Sequence, residues 1–146
     1  MYILNKIRKD ILLKKVLIVA IISTLIFYLL AILKHILLQS TAYDLGLFDQ
    51  WIWLTSKGLP SYSSMTGLHM LADHGAWTLY IASFIYKIKP DLNILFFSQS
   101  VSLCFTAIPL YFLCKRKQLN SKISFFITLF WLLQPDVFNI NLFDFH

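Results

Sequence analysis

The stretch Val16–Leu33, VLIVAIISTLIFYLLAIL, decides the fold class of this 146-residue chain. It carries no charge, and it is bounded by Lys14-Lys15 on one side and by Lys34 on the other. A helix rises about 1.5 Å per residue, so this run covers about 27 Å, close to the thickness of the hydrocarbon core of a bilayer. We therefore predict a first membrane-spanning helix over residues 16–33.

The composition also indicates a membrane protein. Hydrophobic residues make up 58% of the chain and charged residues 14%, whereas soluble domains average about 45–50% and about 25%. A soluble domain could not bury so much apolar surface, and a disordered chain needs the opposite composition. The formal net charge is +6, but the basic runs at 1–15 and 115–122 flank apolar segments. They are typical of topology signals, so we expect no nucleic-acid partner.

Two further apolar runs predict two more spans. Residues 93–113 are uncharged and are followed by a basic loop at 114–122. A third run begins at Ile123 and is long enough to cross only if it continues past Pro135. Proline interrupts the hydrogen bonding of a helix, so we predict a third span over 123–142 that is broken near Pro135.

The charge pattern predicts the orientation of these spans. Cytoplasmic segments are rich in Lys and Arg, so we expect the basic tail 1–15 and the loop 114–122 in the cytoplasm. Residues 34–92 then form one long extracytoplasmic loop. An apolar stripe within 76–86 has helical spacing but is too short to span, so we expect an interfacial helix there.

These features together predict an all-α integral membrane protein with one membrane domain over 1–146. It has three transmembrane helices and one or more interfacial helices in the outer loop, and its direct partner is the lipid bilayer. We expect it in the plasma (inner) membrane of a prokaryote. A cleaved signal peptide is the alternative for the first run, but signal cores are usually about 7–15 residues long, which favours a retained anchor.

Acidic and histidine residues lie on the segments that are predicted to face outward. A carboxylate there could act as a general base, or it could bind a divalent cation held by a pyrophosphate. Five residues of helix turn through about 500°, so Asp44 and Asp49 could converge only if a non-helical turn, at Gly46, lay between them. The alternative role for either aspartate is a helix cap. The candidate site residues are Asp44, Asp49, Asp73, His74, Asp144 and His146.

Two short motifs supply the later candidates. Asp73-His74-Gly75 precedes the predicted interfacial helix, where it could bind a metal or orient a phosphate, and an aspartate N-cap is the alternative. Asp144-Phe145-His146 adds an acid and an imidazole, but two residues do not make a metal site, so the metal requirement stays unknown. We interpret three tryptophans of the loop as interface anchors rather than sugar-stacking platforms: Trp51, Trp53 and Trp77.

The motifs follow one another in an order that resembles the uncharacterised membrane protein family DUF2079. The first motif, YDLGLFDQ at residues 43–50, and the last, LFDFH at residues 142–146, are the most specific. Between them lie, in order, Asp73-His74, Pro90, Gln99, Pro109-Leu110-Tyr111 and Pro135.

That family looks like a branch of the GT-C membrane glycosyltransferases, which take sugars from polyprenyl-phosphate carriers and transfer them on the outer face of the membrane. The resemblance implies the N-terminal part of a GT-C fold. It also implies that Asp44 is the catalytic aspartate and that Asp73-His74 lies near the acceptor and the carrier phosphate. We expect Asp49, Asp144 and His146 to help place the substrate or its phosphate, with or without a divalent cation.

The resemblance also raises the question of completeness, because GT-C enzymes have many more spans. We expect this chain to be an N-terminal fragment that is inactive alone and is completed by a C-terminal membrane segment, which could be encoded separately. Two other functions stay open. The chain could be a non-catalytic assembly subunit or a remnant of a larger protein, or a transporter fragment in which Asp136 is the candidate intramembrane acid.

Overall fold

The computed structural model describes residues 10–40 and 42–143, with Ala42 by its backbone alone. Within these ranges the chain is all-helical and forms no strand; the one extended pairing is an isolated bridge between Tyr62 and His69. The helices are α1 (Ile11–Ile36), α2 (Ala42–Ser56), α3 (Met70–Asp73), α4 (Leu79–Tyr86), α5 (Asn93–Phe105), α6 (Ala107–Arg116), α7 (Ser121–Leu132) and α8 (Pro135–Phe143).

Three helical stretches of the described chain are long and apolar enough to cross a membrane. They are Ile11–Ile36, Asn93–Arg116 and Ser121–Phe143. The second consists of α5 and α6, and the third of α7 and α8. This result confirms the predicted all-α membrane protein with three spans. The first helix begins at Ile11, before the charge-free run, because Lys14 and Lys15 continue the same helix with exposed side chains.

The third stretch is interrupted between α7 and α8, at residues 133–134. Pro135 has no backbone N–H, so it cannot donate to the carbonyl of Trp131 as a helical residue would. The N–H of Gln134 donates to that carbonyl instead, at 3.2 Å. The first helical turn after the break contains Asp136, whose side chain is exposed.

Contacts divide the chain into two compact units. The first contains the described residues of Met1–Ala31 and Ser100–Leu142. In α1 the buried side chains recur every three or four residues, which is the spacing of one helix face. This face, with parts of α5–α8, forms the core of the unit: Leu13, Val16, Ala20, Phe27, Cys104, Ala107, Tyr111, Leu132 and Val137.

Polar side chains hold helices of the first unit together. The Asn141 carboxamide donates to the backbone carbonyl of Phe27 at 3.0 Å, and it accepts a hydrogen bond from the Ser100 hydroxyl, also at 3.0 Å. All three residues are buried. Side-chain hydrogen bonds between spans are a common source of helix association in membranes, so Asn141 ties α8 to both α1 and α5.

The start of α1 is fixed in the same unit. Asp10 accepts from the backbone N–H groups of Leu12 and Leu13, at 3.0 and 3.2 Å, as an N-cap does. Its second oxygen accepts from the Tyr111 hydroxyl at 2.8 Å. Tyr111 belongs to the Pro109-Leu110-Tyr111 motif. This motif therefore has a structural role, because its tyrosine binds the aspartate that caps α1.

The second unit contains Ile32–Gln99 and Phe143 of the described chain, and it holds most of the candidate site residues. Helix α2 packs against α4. The side of α4 that faces α2 is buried and includes Leu79, Ser83 and Tyr86. Large apolar side chains are exposed on α4 and next to its two ends. We call them the α4 stripe: Ile81, Phe84 and Ile85 in the helix, Trp77 before it and Ile88 after it.

A loop between α2 and α3 is fastened to α2 by one side chain. The Gln50 carboxamide accepts from the Ser63 hydroxyl and from the Ser64 backbone N–H, both at 3.1 Å, and it donates to the Ser64 hydroxyl at 2.9 Å. Farther along the loop, the N–H of Met70 donates to the carbonyl of Ser61. The last residue of the YDLGLFDQ motif therefore sets the path by which the chain reaches α3.

Candidate functional site

Helix α2 presents the first candidate residue on a defined face. Asp44 lies in the first turn of α2, where the partial positive charge of a helix N-terminus favours a carboxylate. Residues at i, i+4 and i+7 share one side of a helix, so Asp44, Phe48 and Trp51 lie along the same face. We call it the Asp44 face.

Asp73-His74 packs against this same face. The His74 ring lies edge-on to Phe48 and to Trp51, with ring centroids 5.2 and 5.7 Å apart. His74 Nδ1 is 3.3 Å from Asp73 Oδ1. Two motifs that are far apart in sequence are thus brought to one helix face: Asp44 from the first and Asp73-His74 from the second.

The local role of Asp73 differs from the helix-cap alternative. Asp73 is the last residue of α3, and α4 begins after Thr78, so Asp73 does not cap the apolar helix as its position before residue 76 suggested. The residue that caps a helix here is His69, whose Nδ1 accepts from the backbone N–H of Leu71 at 3.2 Å. The motif therefore ends a short helix, and His74, directly after that helix, contacts α2.

The cluster that Phe48, Trp51, Asp73 and His74 form contains two buried polar atoms that lack a hydrogen-bond partner in the described structure. They are the indole nitrogen Nε1 of Trp51, which can only donate, and Oδ2 of Asp73, which accepts when the carboxyl is ionised. Trp51 is fully buried. Leaving such a group unpaired costs about 1–3 kcal/mol, and native structures contain few of them. The cluster therefore contains one unpaired donor and one unpaired acceptor.

Asp49 occupies a different side of α2. The helix continues through Gly46 without a non-helical turn, so Asp44 and Asp49 do not converge, and Asp49 lies too far inside α2 to cap it. Its Oδ1 accepts a hydrogen bond from the Tyr86 hydroxyl at 2.8 Å. Burial, together with this bond to Asp49, raises the pKa of Tyr86 well above its usual range.

The last two candidates, Asp144 and His146, lie outside the described residues. The chain just before them is held by the end of the first helix, because Lys34 Nζ donates to the carbonyl of Phe143 at 2.9 Å. In the described ranges no group of three or more His, Cys, Asp or Glu side chains is placed to hold a metal ion. The described residues thus supply carboxylates and an imidazole, but no complete cation site.

One of the tryptophan assignments is wrong. Trp51 is buried and cannot anchor the chain at an interface, whereas Trp53 and Trp77 are 41% and 68% exposed. Sequence reasoning also missed Tyr86 as a contact of α2, and Gln50 as the residue of α2 that binds the following loop. The i, i+4, i+7 spacing of Asp44, Phe48 and Trp51 was available as a signal, because it requires a continuous helix through Gly46.

Comparison with known proteins gives a family. The model of the predicted membrane protein family DUF2079 matches residues 34–146. The chain belongs to this family. The match covers the whole second unit from Lys34 onward and also the second and third spans, so the motifs at both ends of the resemblance are included. No curated protein and no solved structure matches the DUF2079 chain.

Proposed function

We propose that this DUF2079 protein acts in a GT-C-like glycosyl transfer, in which a sugar moves from a polyprenyl-phosphate carrier to an acceptor on the extracytoplasmic face. One observation carries the proposal: Asp73-His74 packs on the face of α2 that begins with Asp44. A transferase of this class needs a carboxylate near the acceptor hydroxyl and further polar groups near the donor. The Asp44 face supports this arrangement, because His74 contacts Phe48 and Trp51, which lie one and two turns along the helix from Asp44.

In this proposal Asp44 is the general base. It accepts the proton of the acceptor hydroxyl while that oxygen attacks the sugar carbon bonded to the carrier phosphate. Asp49, Asp73, His74, Asp144 and His146 help to place the substrates, with or without a divalent cation. Asp49 would do so indirectly, because its carboxylate binds Tyr86 and fixes α4 on α2.

The α4 stripe supports a location at the membrane surface. Five large apolar side chains are exposed there, and the Lys87 ammonium lies over the Phe84 ring, 5.1 Å from its centroid. A helix that is apolar on one side and carries lysines at its edge suits the headgroup layer. With the basic segments 1–15 and 114–122 in the cytoplasm of a prokaryote, this surface would be the outer one, where a lipid-linked donor is reached.

The proposal is tested by Asp44→Asn in a full-length member of the family, assayed in membranes for transfer from a polyprenyl-phosphate sugar. We expect transfer to fall by at least 100-fold while membrane insertion is unchanged, since a general base contributes about 10²–10⁴-fold. The matched control is Asp91→Asn, because Asp91 lies off the Asp44 face in an ion pair with Lys89, at 2.9 Å. That pairing lowers the pKa of the Asp91 carboxyl.

Undiminished transfer by Asp44→Asn would reject the role of Asp44 as the general base. If the wild-type protein transfers no sugar but co-purifies stoichiometrically with a separately encoded membrane segment, the protein is a non-catalytic subunit and the proposal fails.

A further inference from the structure

We infer that the cluster of Phe48, Trp51, Asp73 and His74 is a binding seat for a hydroxyl group of a neutral polyol. The unpaired donor, Trp51 Nε1, and the unpaired acceptor, Asp73 Oδ2, both belong to residues that contact His74. Trp51 was not among the predicted site residues. The seat therefore adds a residue and a ligand preference that the family resemblance does not contain.

The chemistry of the two atoms selects the ligand. An indole N–H only donates, and an ionised carboxylate only accepts. A hydroxyl is the smallest organic group that satisfies both, because its oxygen accepts from Trp51 while its proton is donated to Asp73.

The same two atoms disfavour charged ligands. A phosphate offers acceptors to Trp51, but it would be repelled by the carboxylate of Asp73. A cation would be bound by Asp73 but not by the N–H of Trp51. The seat thus prefers a neutral hydroxyl group to a phosphate or a cation.

The ligand reaches the seat past His74. Phe48 and Trp51 are buried, and the Asp73 side chain is 20% exposed, whereas the His74 side chain is 38% exposed. His74 also lies next to Gly75, which has a left-handed backbone with φ of +58°. That the bound hydroxyl belongs to a glycosyl acceptor rests on the proposed function, whereas the seat itself does not.

The experiment uses the full chain in lipid nanodiscs, with ¹⁵N in its tryptophan indoles. Trp51→Phe assigns the Trp51 signal among the four tryptophans of the chain. Methyl α-D-glucoside and glycerol are then titrated, with inorganic phosphate as the charged comparison. We expect a saturable shift of the Trp51 indole signal with the polyols and none at the exposed Trp53.

Asp73→Asn should weaken polyol binding at least tenfold, equivalent to about 1.4 kcal/mol, while Asp91→Asn should leave it unchanged. The inference is overturned if the polyols do not shift the Trp51 signal or if phosphate shifts it equally. It is also overturned if the Trp51 indole proton exchanges with water and not with the hydroxyl of a polyol. Because no transfer reaction is measured, this result is independent of the outcome for Asp44→Asn.

Discussion

The hydroxyl of Tyr86 donates a 2.8 Å hydrogen bond to Asp49 Oδ1, and the two residues are 37 positions apart in the sequence. Tyr86 is 1% exposed, so this bond lies inside the second unit and joins α4 to α2. Helix α2 also carries the Asp44 face. The bond therefore couples the helix with the apolar stripe to the helix with the proposed base.

Replacing Tyr86 by Phe should loosen this pairing. The change keeps the buried ring but leaves Asp49 without its donor, which costs about 1–3 kcal/mol. We expect faster amide hydrogen exchange in α2 and α4, measured by mass spectrometry on the protein in nanodiscs. Tyr62→Phe is the matched control, because Tyr62 is 58% exposed. Equal protection in Tyr86→Phe and wild type would mean that the bond adds nothing to the packing.

The same tyrosine predicts the response to alkaline pH. Its pKa is raised in the folded chain by burial and by the bond to Asp49, so the folded state holds the proton more tightly than the unfolded state. The resulting stability is complete below the ordinary tyrosine pKa of about 10 and falls as the pH rises above it. A thermal unfolding series from pH 8 to pH 11 should show this loss in wild type and a smaller loss in Tyr86→Phe. If stability falls equally steeply with pH in wild type and in Tyr86→Phe, the alkaline loss of stability does not come from Tyr86.

Asn141 should contribute to the association of the spans. Asn141→Ala removes its bonds to Ser100 and to the Phe27 carbonyl, and such bonds are worth about 1–2 kcal/mol at most in membranes. We expect unfolding at a lower SDS fraction, followed by circular dichroism. Asn139→Ala is the control, since Asn139 is exposed on the same helix. If Asn141→Ala unfolds at the same SDS fraction as Asn139→Ala, the hydrogen bonds of Asn141 are dispensable for the association of the spans.

Two glycines should respond in opposite directions to alanine. Gly46 lies inside α2, where an added Cβ would meet only Met65 Sδ at 3.9 Å, an ordinary contact. Gly46→Ala should therefore stabilise the helix by about 0.5–1 kcal/mol. Gly75 has a positive φ, so Gly75→Ala should destabilise the chain by about 1–2 kcal/mol. Thermal unfolding of both variants measures the contrast, and a destabilised Gly46→Ala would argue against a continuous α2.

The sequence alone was sufficient to predict the three membrane spans. It was not sufficient to predict how the helices of the second unit pack against one another. The apolar side chains of a charge-free run such as 16–33 must be buried against lipid or against other helices, so the length of the run alone indicates a span. The position of α4 on α2 depends instead on contacts between distant residues, such as Tyr86 with Asp49, and these leave no local pattern. The same limit explains the wrong tryptophan. Trp51 and Trp53 have similar neighbours in sequence. A continuous helix places them on different faces, and the packing of His74 decides which of the two faces is buried.

Asp73 illustrates how a local signal was assigned to the wrong helix. An aspartate before an apolar helix is a common N-cap, but four residues separate Asp73 from the cap position of α4 at Thr78. The turn at Gly75 occupies that interval. Predicting where α3 begins would have required the bridge between Tyr62 and His69, which is again a contact between residues distant in sequence.

The α4 stripe has a practical consequence for handling this protein. Its five side chains are between 48% and 88% exposed, and a continuous apolar surface of that kind drives association in water. A peptide covering residues 42–91, made without the spans, should therefore form oligomers or precipitate in aqueous buffer. Detergent would be needed to keep it monomeric, even though none of its helices is long enough to cross a bilayer.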